Sequence, residues 1–388
     1  MGKTFLEVKT LRFLHTADWH IGKKLHGYDL LVDQKEIIHQ ILDIALTQQV
    51  DAIVIAGDLY DRSVPSVEAC ELLNQTFIEM NLEKKLPILA ISGNHDSAVR
   101  LSTGMPWYEQ TDFHLYTDLK QSFEPVDIGD VQFFLLPYFE PIAARLYFEE
   151  ESLSLQAAIQ KIIEKMRTAF DKNKKQVLVT HFFIAGSTRS DSETAVEVGG
   201  LNRISYELVQ DFDYVALGHL HSKNALKTQN ALYSGSPLKF SLSEKDDSKG
   251  VWIVDSRSVA PEFHELVAKR DVCSLQASFE ELTDPSFYQR MDRNCFWYFQ
   301  LTDRSVITNM MNQLRAIYPN ILGVERVNGR RETKQLEKVQ HRKNTPYSML
   351  TSFFEDITGD RLTKKQRDWL DEGLQQSLDT EKRNDDAT

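Results

Sequence analysis

Seven residues of this chain are of the types that hold divalent cations, and each follows an apolar run. Asp18 and His20 come after LRFLH (11–15), Asp58 after AIVIAG (52–57) and Asn94 after ILAISG (88–93). His181 closes QVLVTH (176–181), and His219 and His221 close YVALGH (214–219) or follow it. A mixed Asp, Asn and His set favours Mn²⁺, Fe²⁺ or Zn²⁺ over Mg²⁺, and the lack of thiolates argues against structural zinc. Two cations side by side need one carboxylate that touches both. Asp58 suits that place, because Gly57 before it lets the backbone turn tightly. In Asp18-x-His20 and His219-x-His221, alternate residues of extended chain face the same way, so each short loop offers two ligands. Such a pair activates water and neutralises phosphoryl charge during in-line displacement, which makes phosphate ester hydrolysis the natural reaction. His95, beside Asn94, is placed to protonate the leaving oxygen or steady the transition state. Asp96 would orient His95 or the backbone of its loop.

Taken singly, these signals are weak. Asp-x-His and Gly-Asp arise by chance in most chains of this length, and an isolated His181 is more often a hydrogen-bonded core histidine. Gly218-His219-x-His221 is less common, and Gly93-Asn94-His95-Asp96 after a strand is rarer still. Their ordered appearance at five strand ends leaves coincidence a chance below about one in twenty. His15, His26, His39, His114, His264 and His341 are read as non-ligands.

The elements that must position these residues alternate. The runs named above, with VQFFLLP (131–137) and GVWIVD (250–255), read as buried strands, several of them continuously apolar as in a sheet covered on both faces. Between them 33–49, 66–81, 152–171 and 203–210 show helical spacing, which predicts a layered α/β domain. Ligands of such sheets bind beyond the carboxyl ends of the strands, where all seven residues fall. After about residue 268 the pattern changes. CFWYFQL (295–301), a helical stretch at 305–317 and ILGVERV (321–327) suggest a small α+β domain. Residues 329–344 read as a solvated linker with six basic and two acidic residues. Leu350, Phe353, Phe354 and Ile357 form a helical stripe ended by Gly359, and Thr363 with Gln366 resembles a capping box for a second helix to 378. Residues 379–388 read as disordered.

With 388 residues the chain is expected to hold two domains or slightly more. No apolar run reaches the roughly 18 residues of a membrane span, and MGKTFLEVKT lacks a signal-peptide core. Cys70, Cys273 and Cys295 are odd in number and widely spaced, which fits buried thiols in a reducing cytosol. The net charge of −12 opposes non-specific nucleic-acid binding, so a nucleic-acid substrate would need a local field. Lys23, Lys24, Arg62, Arg100, Arg189 and Lys239 are candidates for it.

The ordered set Asp18-x-His20, Gly57-Asp58, Gly93-Asn94-His95-Asp96, His181 and Gly218-His219-x-His221 resembles the signature of the calcineurin-like metallophosphoesterases. Within that superfamily, HTADWHIGKKL (15–25), GDLYDRSVP (57–65), SGNHDSAVRL (92–101), GLNRIS (200–205), DYVALGHLH (213–221) and YSGSPLKFSLSE (233–244) resemble the bacterial SbcD-type DNA-repair exonuclease subunits. The resemblance covers 11–270 well and the remainder more loosely. It implies a layered β-sandwich metallophosphoesterase domain with helices on both faces (11–270), a small α+β DNA-capping domain (271–328), a linker (329–344) and C-terminal helices (345–378) that dock on an SbcC-type coiled-coil ATPase. It implies one metal on Asp18, His20, Asp58 and His221 and a second on Asp58, Asn94, His181 and His219, with His95 as the catalytic histidine, beside which the residue reading sets Asp96. The expected cofactor is two Mn²⁺ ions, and the expected activity is double-strand exonuclease and single-strand or hairpin endonuclease in DNA repair, recombination and replication. A homodimer in the cytoplasm, at the nucleoid, belongs to the same expectation. The alternatives are a stand-alone phosphodiesterase or phosphatase on nucleotides or phosphoproteins, and a scaffold that has lost its metals. The extra domains at 272–378 oppose the first, and the complete ligand set with His95 opposes the second.

Overall fold

The computed structural model describes residues 10–193, 203–258, 260–327 and 361–385, together with Tyr347, Leu350, Thr351 and Phe354. The chain divides into two compact units, at residues 272 and 273.

The first unit is built on two sheets. In one, the strands lie in the order 261–265, 250–255, 12–16, 52–55, 88–91 and 113–116. The last four run parallel, and Gly250–Asp255 pairs antiparallel with both of its neighbours. The other sheet has the order 231–233, 214–217, 175–180, 131–136 and 126–128, parallel except for Val126–Ile128 at its edge. Residues of alternate parity meet between the sheets. Phe13, Val54, Leu89 and Val254 of the first interlock with Phe133, Leu135, Val177, Val179 and Ala216 of the second. Phe13 presents its edge to Phe133 across the layer, with centroids 5.2 Å apart. The opposite parity, Phe134, Leu136, Leu178, Val215 and Leu217, packs on the outer side against Ile159, Ile162, Ile163 and Met166 of the helix Leu155–Arg167. Every residue of Ala52–Ile55 and Ile88–Ile91 is buried, which explains why those runs are continuously apolar rather than alternating. The helix Leu31–Thr47 buries Ile37, Ile38, Ile41, Leu42 and Ala45, and Val67–Phe77, capped by Ser66, continues as a π-helical turn through Glu83.

The second unit carries a three-stranded sheet of Val272–Ala277, Phe296–Leu301 and Ile321–Arg326, with the helix Met310–Ile317. Its own core joins Leu282, Phe299, Leu301, Leu314 and Tyr318, and Tyr318 donates its hydroxyl hydrogen to the Leu282 carbonyl (3.0 Å). The helix Lys364–Asp385 follows, with Gln366 Oε1 accepting from the Thr363 N–H (2.8 Å) as a capping box requires.

The architecture is the expected layered α/β domain followed by a small α+β one, with local differences of three kinds. Residues 203–210 form a two-residue strand at Arg203–Ile204 and a single 3₁₀ turn at Tyr206–Leu208, not a helix. There Ile204, Leu208 and Val209 have helical spacing, but the segment is too short to add hydrogen-bonded turns. The strands Phe113–Tyr116, Ala231–Tyr233 and Pro261–Glu265 were not anticipated, being short and at sheet edges. The last helix runs on to Asp385 rather than fraying at 378. The linker 329–344 and most of 345–359 lie outside the described residues. No helix among the described residues is long and apolar enough to cross a membrane.

Candidate metal centre

The two sheets end at one rim, where short loops carry the polar residues. The loop after Arg12–Thr16 zips to the loop after Ala52–Ile55. Asp18 N–H donates to the Gly57 carbonyl (3.0 Å), His20 N–H to that of Asp58 (3.0 Å) and Ile21 N–H to that of Leu59 (2.9 Å). Asp18, His20, Asp58 and His219 all hold left-handed backbone, at φ of +54°, +44°, +53° and +94°. Each costs on the order of 1–3 kcal/mol and persists only where its surroundings fix it. Here those loop-to-loop bonds hold Asp18, His20 and Asp58, and the Asp18 carboxylate holds the His219 N–H. Gly57, at φ +92°, has no room for a side chain, since a Cβ would lie 2.4 Å from His181 Nδ1. A Cβ on Gly93 would lie 2.1 Å from Asp58 Oδ1. The glycines of the motifs are there because backbone and ligand touch.

All seven predicted ligands converge, in two groups that share Asp58. In the first, His20 Nε2 and His221 Nε2 are 3.1 Å apart, and His219 N–H donates to both oxygens of Asp18 (2.9 and 3.1 Å). In the second, Asn94 Oδ1 lies 3.1 Å from His181 Nε2 and 2.9 Å from His219 Nδ1. Asp58 Oδ2 sits 3.3 Å from His181 Nε2 and 3.5 Å from His20 Nε2, while Oδ1 accepts the His95 N–H (2.9 Å). One carboxylate oxygen thus faces both groups. Asp18 is also close to the second group, 4.0 Å from His181 Nε2.

The donor set fits cations. Two ligand nitrogens about 3 Å apart have the separation of neighbours on one ion with bonds of roughly 2.1 Å. His181 Nδ1 donates to the Ala56 carbonyl (2.7 Å), which directs Nε2 and its lone pair at the oxygens of Asn94 and Asp58. Acceptors that face acceptors in a buried site repel unless a proton or a metal lies between them. The titration behaviour says the same. Burial raises Asp18 to about 7. Burial also presses on Asp58, but the charge of His181 overrides it and holds Asp58 well below the usual carboxylate range. Burial lowers His181 too, yet the charge of Asp58 and its hydrogen bond lift it to about 9. His219, buried and beside His181, falls to about 3. Without a cation the cluster keeps a proton on His181 to balance Asp58, and a metal would take over that role.

His95 sits at the edge, its ring edge-on to His20 with centroids 4.7 Å apart. Its Nδ1 lies 2.9 Å from the Asp61 carbonyl, which only accepts, so Nδ1 carries the hydrogen and Nε2 the lone pair. Asp96 accepts from the amides of Leu59 (3.1 Å), Tyr60 (2.9 Å) and Gly93 (3.0 Å), and burial with the nearby charge of Asp58 raises it to about 7. Of the two roles considered for Asp96, its hydrogen bonds describe the one on loop backbone. His20, Asp61 and His95 also cluster within reach of one ion, although Asp61 is already paired with Lys23 (2.7 Å). His15, read as a non-ligand, is buried with Nδ1 2.9 Å from the Tyr214 hydroxyl. His341 lies outside the described residues. Of the basic candidates, Lys23 and Lys239 are held by Asp61 and Asp271, and Arg189 lies over the Phe183 ring (4.4 Å).

A layer behind His221 was not legible in the sequence. His221 Nδ1 meets Ser192 Oγ (2.6 Å), and its N–H donates to Glu193 (2.7 Å). Ser192 donates in turn to the buried Glu244, which also accepts from Lys249 (2.5 Å); Lys249 donates as well to the His221 carbonyl (2.8 Å). The one signal for Glu244 is its place at the end of YSGSPLKFSLSE, a stretch that carries the family resemblance without supplying a predicted ligand.

The profile of the calcineurin-like phosphoesterase family matches residues 11–223. That of the type 5 capsule protein repressor C-terminal domain matches 268–358. The SbcD subunit of nuclease SbcCD from Staphylococcus epidermidis is 35% identical over 375 residues, spanning 96% of this chain and 100% of the relative. The protein of the same name from Staphylococcus saprophyticus is 33% identical over 360 residues, spanning 92% and 96%. Among solved structures, TT1561 of Thermus thermophilus aligns over 66% of this chain and 99% of its own at 14% identity, with a TM-score of 0.39.

Proposed function

The chain belongs to the SbcD-type nuclease subunits of the calcineurin-like phosphoesterases, and we propose that it hydrolyses DNA phosphodiester bonds with two Mn²⁺ ions. The observation that carries this reading is Asp58, whose Oδ2 faces both His181 and His20. Asp18, His20, Asp58 and His221 would hold one ion, and Asp58, Asn94, His181 and His219 the other. Bound there, the pair supplies Lewis acidity toward the phosphoryl group and a water acidic enough to attack it. A donor set of oxygen and imidazole without thiolate suits Mn²⁺. Asn94, His181 and His219 fix where the phosphate rests. His95, with its ring set by Asp61, takes up a proton at Nε2 and, as the doubly protonated imidazolium, gives it to the leaving oxygen. Asp96 acts as a positioning residue, tying the loops of Asp58 and Asn94 together through the Leu59, Tyr60 and Gly93 amides.

The relatives are named as one subunit of the nuclease SbcCD, which supports an SbcC-type coiled-coil ATPase as partner in DNA repair, recombination and replication. In that assembly residues 271–328 cap DNA, 345–378 dock on the ATPase, and two nuclease subunits pair in the cytoplasm at the nucleoid. Exonuclease action on duplex ends and endonuclease action on single strands or hairpins are the activities proposed.

The test is hydrolysis of linear duplex DNA and of bis(p-nitrophenyl) phosphate by the purified protein with Mn²⁺. Cutting of both supports the reading. Hydrolysis of the small ester alone, even with the ATPase subunit and ATP present, would replace it with a stand-alone phosphodiesterase. Deletion of 345–388 is expected to spare ester hydrolysis and abolish co-purification with the ATPase.

A further inference from the structure

Beside the metal centre lies a cavity of about 590 Å³ that none of the roles above uses. Asn94 lines both. The other walls include Lys120, Tyr138, Phe139, Leu146 and Tyr147. Tyr138 is tied to the rim directly, since its N–H donates to the Ser92 carbonyl (2.9 Å), two residues before Asn94. Its hydroxyl donates to Glu140 (2.8 Å), which sets the ring, and Leu146 is 73% exposed on the helix Pro141–Phe148.

We infer that this cavity is a subsite for an unpaired nucleobase of the strand being cut, next to the scissile phosphate; the inference rests on the DNA reading above. The volume falls within the roughly 300–1,000 Å³ of sites that enclose a small organic group, far more than a phosphate needs. Charge makes the choice sharper. Asp118 and Glu140 outnumber Lys120 around the cavity, so a phosphate is repelled there. A neutral base is not, and its amino groups can donate to those carboxylates. The ring of Tyr147 is already stacked on Phe123 (5.1 Å). Tyr138, packed against Phe182 (5.5 Å), therefore supplies the aromatic wall, and base-on-aromatic stacking tolerates any sequence. A base stacked inside a duplex cannot reach the cavity, so the occupant is unpaired, frayed or flipped. The site therefore favours strands whose base beside the cut is already out of the helix.

The experiment uses the full chain with Mn²⁺ and single-stranded oligonucleotides in which an abasic position is walked past the cleaved bond. For the wild-type protein, kcat/KM is expected to fall roughly tenfold or more at one position only, as befits a lost stacking contact. Tyr138→Ala and Leu146→Glu should cut the intact strand and that abasic strand alike, at about the wild-type abasic rate. Leu146 is exposed, so its variant keeps the answer readable if Tyr138→Ala folds poorly. If wild type cuts every abasic strand like the intact one, or if Leu146→Glu retains the single-position drop, the subsite is wrong while the nuclease reading stands. Hydrolysis of bis(p-nitrophenyl) phosphate without any cutting of DNA overturns both.

Discussion

The two halves of the metal centre are held by different means. Around Asn94, His181 and His219 the support is backbone: His181 Nδ1 rests on the Ala56 carbonyl, and Gly57 and Gly218 lie so close that a Cβ on either would strike that ring. Asp18 shares that backbone support through the His219 N–H, but around His221, and in part His20, side chains do the holding. Gln34 Nε2 holds the His20 carbonyl (2.7 Å), and Ser192, Glu193 and Lys249 hold His221, with Glu244 behind them. A half anchored on backbone cannot be loosened without disturbing the sheets. A half anchored on side chains can be tuned one residue at a time, which makes it the half where metal affinity is open to adjustment.

Substitutions can break or sharpen that contrast. Asp58→Ala removes the residue common to both halves, so both ions should be lost and ester hydrolysis should fall by more than about 10⁴-fold, beyond what one proton donor contributes; metal analysis returning two ions per chain would end the shared role. His95→Ala takes away the proposed proton donor at the edge of both. Turnover should drop roughly 10²–10⁴-fold with metal content unchanged, and a parallel loss of metal would reassign His95 as a ligand. Glu244→Ala strikes only the side-chain half. One of two Mn²⁺ affinities, followed by titration calorimetry, should weaken about 10–100-fold, and equal weakening of both would erase the distinction between the halves. Ser192→Ala is the mildest, because water can stand in for a hydroxyl at His221 Nδ1. A shift in the same single affinity of under about tenfold is expected, and no shift at all would leave Glu244 acting without Ser192.

The same contrast explains what the sequence disclosed. Ligands at strand ends are legible because the strand announces itself as an apolar run and the motif glycines mark where backbone must pass close. Asp58, Asn94 and His219 each stand directly after such a glycine. Glu244 and Lys249 reach His221 only through the fold, 23 and 28 residues along the chain, with no local spacing to give them away. Asp96 lay in between: its place in the motif was visible, whereas its engagement of the Leu59 and Tyr60 amides depends on a loop 36–37 residues earlier. In the fold, the misread segment is 203–210, where helical spacing of apolar residues arose without the length to make a helix. The edge strand Phe113–Tyr116 escaped because four residues carry too little pattern.

The ligands are divided between the sheets: Asp18, Asp58 and Asn94 follow strands of one, His181, His219 and His221 strands of the other. A cation seated among them is therefore also a rivet, closing loops that span most of the first unit. Such a cross-link binds only the assembled chain, so at a hundredfold excess over its dissociation constant each ion would add about 2.7 kcal/mol to folding. Stripping the ions with a chelator would then do more than silence the enzyme. It would remove one of the fastenings between the two sheets, which the core also joins, and the melting temperature would fall as the metal supply falls.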